Sequence, residues 1–418
     1  MITTGTRLLL IGDSTTYGRG ASTGSLGVVG AHIDSPCRQL SRAFNGLGVT
    51  SGSNSVVGMG SNSSATPTQG YYESTPDVSV TLNGWNRLAF DSIGGDIFDS
   101  SVASGGILTF SFDNVDTVAI GIPIRTYGTI QYKIDGGAWV QVNEDGGGVD
   151  DLLRIELDLV TLGVHTVEFQ SFSGTVYLNY VEAWDSSHDI VIVPWGARGY
   201  TSLQMNDAAR PWSYRTALEE VPFDAAVLNI GINDISAGTS QIDYETNVTI
   251  YVNAIKTANP DAIIFLQIPN DISAGLSFIP ASLTSLSNSL EVNLLDSREA
   301  INMGTYNIAN SAGNMYDSLH PSNTGYFSVW NYFAPIIIEK IENLSSVFTM
   351  TDTGISDGLY SFDFYNHDTK KIIETRDVTF SGGGQTISLP VAVGVNVFAY
   401  NPGSNPPVTG MAYDGVTI

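Results

Sequence analysis

The sequence predicts an α/β protein: a doubly wound parallel sheet interrupted by an inserted antiparallel β-sandwich and followed by a small C-terminal β domain. Three observations carry this expectation. Short apolar runs alternate with helix-like stretches over residues 1–60 and 187–345; residues 61–186 instead show strand alternation with Gly-rich turns; and 346–418 read as short strands with no helical period.

The apolar runs are 8–11, 190–193, 226–230 and 263–266, with 292–295 as a fifth. Runs this short and this uniformly apolar are expected of strands buried on both faces of a parallel sheet. Helix-like stretches fall near 34–45, 206–219, 242–258, 281–290 and 323–343, and strands alternating with helices argue for a doubly wound layer. After a Gly/Ser/Asn-rich stretch at 51–64, the texture changes. Residues 108–112, 130–134, 155–159 and 176–178 alternate apolar with polar, and Asp135-Gly136 is a hairpin-type turn. Trp85, Trp139, Trp184, Tyr71 and Tyr72 could offer flat faces to sugar rings, but aromatics in a sandwich are more often core, so none is assigned to a ligand. The last segment contains strand-like 359–364 and 391–397, broken by Gly382-Gly383-Gly384 and the Pro-rich 402–407. It is long enough for a small β domain and carries no catalytic cluster, so attachment or oligomerisation is its expected work.

Four short motifs hold the chemistry: Gly12-Asp13-Ser14-Thr15, Gly199, Gly231-Ile232-Asn233-Asp234 and Asp317-Ser318-Leu319-His320-Pro321. Three of them follow apolar runs, which puts them at the carboxyl edge of the sheet, where open α/β sheets bind ligands. A serine hydroxyl attacks an ester only when a base takes its proton and a third group orients that base. Ser14, His320 and Asp317 can fill these roles, with Asp317 close enough in sequence for one loop to deliver both base and orienter. The oxyanion that forms needs donors, for which the Ser14 N–H, the Gly199 N–H and the Asn233 side-chain amide are candidates. Each motif alone has a plainer explanation: Gly-Asp-Ser is an ordinary turn, and Asn233-Asp234 reads equally as a loop and helix cap. Of the five histidines, His32, His165, His188 and His367 sit in strand, helix-start or turn contexts and are expected to be structural or exposed. It is the joint occurrence, in order, that points to hydrolysis.

The set resembles the SGNH (GDSL-like) hydrolase superfamily, named for its Ser, Gly, Asn and His. The resemblance implies a flavodoxin-like sheet, Ser14 as nucleophile, Gly199 and Asn233 as oxyanion donors beside the Ser14 N–H, and Asp317 with His320 completing the triad. Two departures stand out. Thr15 occupies a position where many members have Leu, and Pro194-Trp195-Gly196 leads into Gly199 where many have an Asn, so Gly196 is a second candidate donor, with Gly199 preferred. The inserted segment resembles the carbohydrate-binding-module-like sandwiches that interrupt some peptidoglycan and polysaccharide O-acetylesterases of this superfamily. That implies an O-acetylated polysaccharide or glycan substrate, while the triad and oxyanion set would carry the ester chemistry with no metal or organic cofactor. A lipase or thioesterase is the rival enzyme reading, which the polar flanks at 18–30 and 51–64 do not favour. An adhesive virion protein on an esterase-like scaffold is the non-enzymatic one.

Composition narrows the setting. With 42 acidic against 17 basic residues and a formal charge of −25, binding to nucleic acid or an anionic membrane surface is not expected. Cys37 is the only cysteine, which excludes an intrachain disulfide and a cysteine metal site; a small buried apolar residue is its expected role. No run approaches the ~20 apolar residues of a membrane span, and the first apolar run is too short for a secretory signal. A glycan-directed enzyme of this composition resembles bacteriophage tail proteins, which implies a virion-associated or extracellular location and a homo-oligomer, a trimer if a tail protein.

Overall fold

The computed structural model describes residues 2, 4–18, 21, 34–54, 56–57, 78–89, 92–93, 96–101, 105–345, 347–351, 358–366, 372–380, 386–390 and 395–400. His32, His367, Tyr71, Tyr72, Gly382 to Gly384, 402–407 and most of the polar stretches 18–30 and 51–64 lie outside the described residues. By contact density the chain divides into two compact units, Thr4–Pro335 and a second made of Met1–Thr3 with Ile336–Ile418.

Along the chain, strand β1 (Thr6–Gly12) leads into the short helix α1 (Ser14–Tyr17), then α2 (Pro36–Gly46) and the brief β2 (Ser51–Gly52). Pro36 opens α2, where a missing N–H costs nothing. Antiparallel strands follow: β3 (Val56–Val57), β4 (Val78–Leu82), β5 (Asn86–Ala89), β6 (Asp96–Ser101), β7 (Leu108–Ile124), β8 (Thr126–Ile134), β9 (Val140–Asp145), β10 (Asp151–Ser173), β11 (Thr175–Leu178) and β12 (Tyr180–Trp184). The α/β alternation resumes with β13 (Ile190–Gly196), α3 (Ser202–Met205), β14 (Ala225–Asn229), α4 (Ile232–Ala237), α5 (Gln241–Ala258), β15 (Ile263–Ile268), α6 (Ile279–Ser289), β16 (Asn293–Asp296), α7 (Tyr306–Ser311) and α8 (Asn323–Ser345).

The parallel sheet runs β16-β15-β14-β1-β13-β2. It starts at β1 in the middle and grows to either side, so β1 is flanked by β13 and β14, with Gly12 in register with Gly196 on one side and Asn229 on the other. That reversal is the topological switch point where α/β sheets build sites. Leu8, Leu9, Leu10 and Ile11 are fully buried, as a strand covered on both faces requires.

One predicted helix is absent. Residues 206–219 form turns and a single 3₁₀ turn at Thr216–Glu219. Pro211 cannot donate and disfavours helical backbone at Arg210, while the Asp207 carboxylate takes the Ala209 N–H (3.0 Å) and the Ser213 hydroxyl (2.6 Å), a local alternative to helical bonding.

The inserted strands make a six-strand path β3-β12-β7-β10-β8-β9, with β4 also on β7, and a three-strand sheet β11-β6-β5. Phe98, Phe110, Phe112 and Phe169 fill their core, with Phe110 meeting Phe98 and Phe169 edge-on at 5.6 and 5.8 Å. Trp85 and Trp184 are core residues; Trp139 is partly exposed, with the Lys133 ammonium 4.7 Å from its ring centre. The insert is also packed into the α/β layer, because Ile93, Leu152, Tyr180 and Trp184 share one apolar cluster with Leu9 and Val191. At that seam the buried Glu182 accepts from Arg7 (2.5 Å) and Arg154 (2.7 Å). Burial pushes the Glu182 carboxyl up, but the two guanidinium charges outweigh it and hold it below the usual range.

In the second unit β17 (Val347–Thr351) pairs with β20 (Thr386–Pro390), and β18 (Gly358–Asn366) lies between β19 (Ile372–Phe380) and β21 (Val395–Tyr400), all antiparallel. Among the described residues no helix is long and apolar enough to cross a membrane.

Candidate active site

The site grows from the end of β1. Gly12 must lack a side chain there, since a Cβ would stand 2.2 Å from both the Asn229 carbonyl oxygen and Thr16 Oγ1. The chain then turns into α1 with Asp13 as its N-cap: Asp13 Oδ1 accepts from the Thr15 N–H (2.9 Å) and the Thr15 hydroxyl (2.8 Å). Asn229, at the end of β14, donates through Nδ2 to Thr15 Oγ1 (2.9 Å), so Thr15 knits the turn that carries Ser14 to the neighbouring strand. Asp13 is wholly buried, and that burial pushes its carboxyl up to about 6 against the two bonds from Thr15.

Ser14, the first residue of α1, is 4% exposed, and its Oγ lies 2.8 Å from Nε2 of His320. Nδ1 of His320 lies 2.9 Å from both carboxylate oxygens of Asp317. A carboxylate can only accept, so Nδ1 carries the hydrogen, Nε2 is the acceptor, and the serine hydroxyl donates to it. Asp317 is fixed in turn: its Oδ1 accepts from the Leu319 and His320 N–H groups, each at 2.8 Å. Burial raises its carboxyl, but these backbone donors and the ring outweigh burial and leave it below the ordinary value. The loop that carries the pair closes on itself, with the Tyr316 N–H donating to the His320 carbonyl (2.8 Å), and is held from outside by Asn270 Nδ2 on the Leu319 carbonyl (2.9 Å) and the Ser273 N–H on the Ser318 carbonyl (3.0 Å).

Gly199 stands in the turn between β13 and α3 with φ +81°, a conformation that favours glycine. Gly196 instead ends β13, paired with Gly12. Asn233 is the second residue of α4, and its Nδ2 donates to the Tyr200 carbonyl (2.9 Å). Asp234, fully buried, takes the Ser202 N–H (2.9 Å) and the Ser202 hydroxyl (2.6 Å). The structure therefore joins Ser14, His320 and Asp317 in one hydrogen-bonded chain and ties the segment around Gly199 to the helix that bears Asn233. Nothing in the sequence pattern singles out Ser202 or Asn270, or the Ser202 partner of Asp234. Asn229 carries the one visible signal, a polar residue inside the apolar run 226–230. His165 is structural, its ring between the Asp135 carboxylate (2.7 Å) and the Thr161 carbonyl (2.8 Å).

Residues 161–326 match the family model described as the GDSL-like Lipase/Acylhydrolase family. The match begins within β10 and takes in Gly199, Asn233, Asp317 and His320, while Ser14 lies before it on the other side of the insert. Among solved structures, a peptidoglycan O-acetylesterase aligns at 16% identity with a TM-score of 0.59, covering 81% of this chain and 91% of its own. A family two carbohydrate esterase from Cellvibrio japonicus aligns at 12% identity and a TM-score of 0.30, covering 63% and 98%. No curated protein sequence matches the chain. The parallel sheet with flanking helices and the candidate site at its switch point is the fold this chain shares with that O-acetylesterase structure. The family likeness itself covers residues 161–326, from within β10 to the first turn of α8.

Proposed function

We propose that the protein is a serine esterase that removes O-acetyl groups from a cell-surface polysaccharide. The observation that carries the proposal is the unbroken relay from Ser14 Oγ to His320 Nε2 (2.8 Å) and from Nδ1 to the Asp317 carboxylate (2.9 Å). In it Ser14 Oγ bonds to the acyl carbon as its proton passes to Nε2, and Asp317 stabilises the imidazolium. The oxyanion is met by the Ser14 N–H, the Gly199 N–H and Asn233 Nδ2. Collapse breaks the bond to the sugar oxygen, which leaves with the proton from Nε2. Water, deprotonated by the same nitrogen, then releases acetate and restores Ser14. Each step moves only protons and an acyl group, so no cofactor is required.

A polysaccharide substrate is supported by the inserted sandwich packed against the α/β layer and by the activity of the fold relative, a peptidoglycan O-acetylesterase. The same proposal includes a division into a hydrolase domain (1–60 with 187–345), a glycan-directed sandwich (61–186) and an attachment or oligomerisation segment (346–418), and a virion-associated or extracellular setting. The test is acetate release from an O-acetylated bacterial polysaccharide by wild type and Ser14→Ala, with short- and long-chain nitrophenyl esters alongside. Release that is lost in the variant and favours acetyl supports the proposal. No turnover of any ester by folded wild type would discard it and favour the adhesive reading.

A further inference from the structure

We infer that Asp234 and Ser202 form a clasp that positions the oxyanion donors, an inference that rests on the esterase reading. The two donors of the hole outside the nucleophile itself come from different elements: Gly199 from the turn after β13, Asn233 from the first turn of α4. A turn held only by its own backbone would let them drift apart, and a shift of even an ångström weakens stabilisation of a developing charge. Two consecutive residues of α4 prevent this. Asn233 grips the Tyr200 carbonyl from its amide (2.9 Å), and Asp234 grips the N–H and hydroxyl of Ser202 (2.9 and 2.6 Å). The gripped residues, Tyr200 and Ser202, lie one and three positions after Gly199.

The clasp is braced from a third element. Asn247 on α5 donates Nδ2 to Ser202 Oγ (3.2 Å), and its own carbonyl accepts from Asn206 Nδ2 (2.7 Å) just beyond α3. Ser202 thus gives its hydrogen to Asp234 and takes one from Asn247, which fixes its rotamer. Asp234 has no exposure to water and also accepts from the Thr239 side chain, so its carboxylate is committed to holding backbone and hydroxyl groups in place. It touches no reacting atom in this scheme and is a positioning residue. The bond from Asn233 to Tyr200 has a further effect: it uses one amide hydrogen to orient the side chain and leaves the second for the oxyanion.

The test is steady-state kinetics on nitrophenyl acetate with wild type, Asp234→Asn, Ser202→Ala, Asn233→Ala and the Ser202→Ala/Asn233→Ala double variant, each checked for folding by circular dichroism and melting. Asp234→Asn and Ser202→Ala are expected to lower kcat roughly ten- to hundredfold with KM nearly unchanged, less than the 10²–10³ typical of losing a donor outright. In the Asn233→Ala background the further loss from Ser202→Ala should shrink, because the hole is already impaired. Folded variants with wild-type kcat, or losses that appear in KM and simply add, would overturn the clasp. Ser202→Ala decides the matter if Asp234→Asn does not fold. Wild type without ester turnover would instead remove the esterase reading, and the clasp with it.

Discussion

Asn233 bears the heaviest chemical expectation of any single side chain outside the Ser14, His320 and Asp317 relay. Asn233→Ala is expected to cost about 10²–10³ in kcat, measured on a nitrophenyl ester, with the melting temperature little changed; a folded variant at wild-type rate would remove Asn233 from the hole. Asp13 supports a second test. Its carboxyl is raised from the ordinary 3.8 to about 6, so the folded state disfavours its charged form. The stability it permits is full below pH 4 and is lost as pH rises through 6, by about 3 kcal/mol at one pKa unit per 1.4 kcal/mol. Asp13→Asn keeps an oxygen for Thr15 and should therefore melt higher than wild type at pH 8 and close to it at pH 4; a constant difference at both pH values would refute the assignment. Asp317 has the opposite sign, since its lowered carboxyl contributes above its ordinary value and loses that contribution as acid protonates it. The members of the hydrogen-bonded Ser14, His320 and Asp317 set are legible as candidates because each sits in a short motif whose neighbours do local work, as Asp317 does for the N–H groups of residues 319 and 320. The clasp was not legible, since Ser202 and Asp234 are 32 residues apart and neither residue type is unusual where it stands.

At the scale of elements, the seam between the insert and β1 turns on one buried carboxylate. Glu182 on β12 pairs with both Arg7 on β1 and Arg154 on β10, Glu156 offers Arg154 a second carboxylate at 3.1 Å, and both guanidinium groups also approach the Trp184 ring, at 4.8 and 6.0 Å from its centre. Removing the partner of a buried charge typically costs about 3–5 kcal/mol, because the remaining ion has lost water without compensation. Glu182→Gln retains the shape and removes the charge, so a fall in stability of that order in urea unfolding is expected. A change under about 1 kcal/mol would mean that water reaches the seam. The strands of the parallel sheet are readable because burial on both faces leaves a continuous apolar run in each, as at Leu8, Leu9, Leu10 and Ile11 of β1. The length of the sandwich strands was less so. β10 runs unbroken from Asp151 to Ser173, though polar residues and a register shift near Gly163 divide its pattern. Helices α4 and α7, six residues each, are too short to show a period, and Pro211 with the Asp207 turn defeats the expected helix at 206–219.

For the molecule as a whole, charge makes the widest prediction. Forty-two acidic and 17 basic residues give −25, and the basic ones are partly consumed in pairs such as Arg7–Glu182, Arg154–Glu182 and Arg210–Asp150. A negative field of this size repels an anionic chain and is indifferent to a neutral one, while salt shortens its reach to about 10 Å at 0.1 M. If the substrate is an acetylated polysaccharide rich in uronate or phosphate, KM should therefore fall as ionic strength rises from about 0.01 to 0.3 M, with kcat nearly constant, because screening acts on encounter and not on the buried relay of Ser14 and His320. An acetylated neutral glycan should show no such slope. The two substrates measured side by side over that range separate electrostatic steering from any general effect of salt on folding, which would alter both. A KM for the anionic glycan that rises with salt would mean that a local basic surface draws the substrate in despite the net charge.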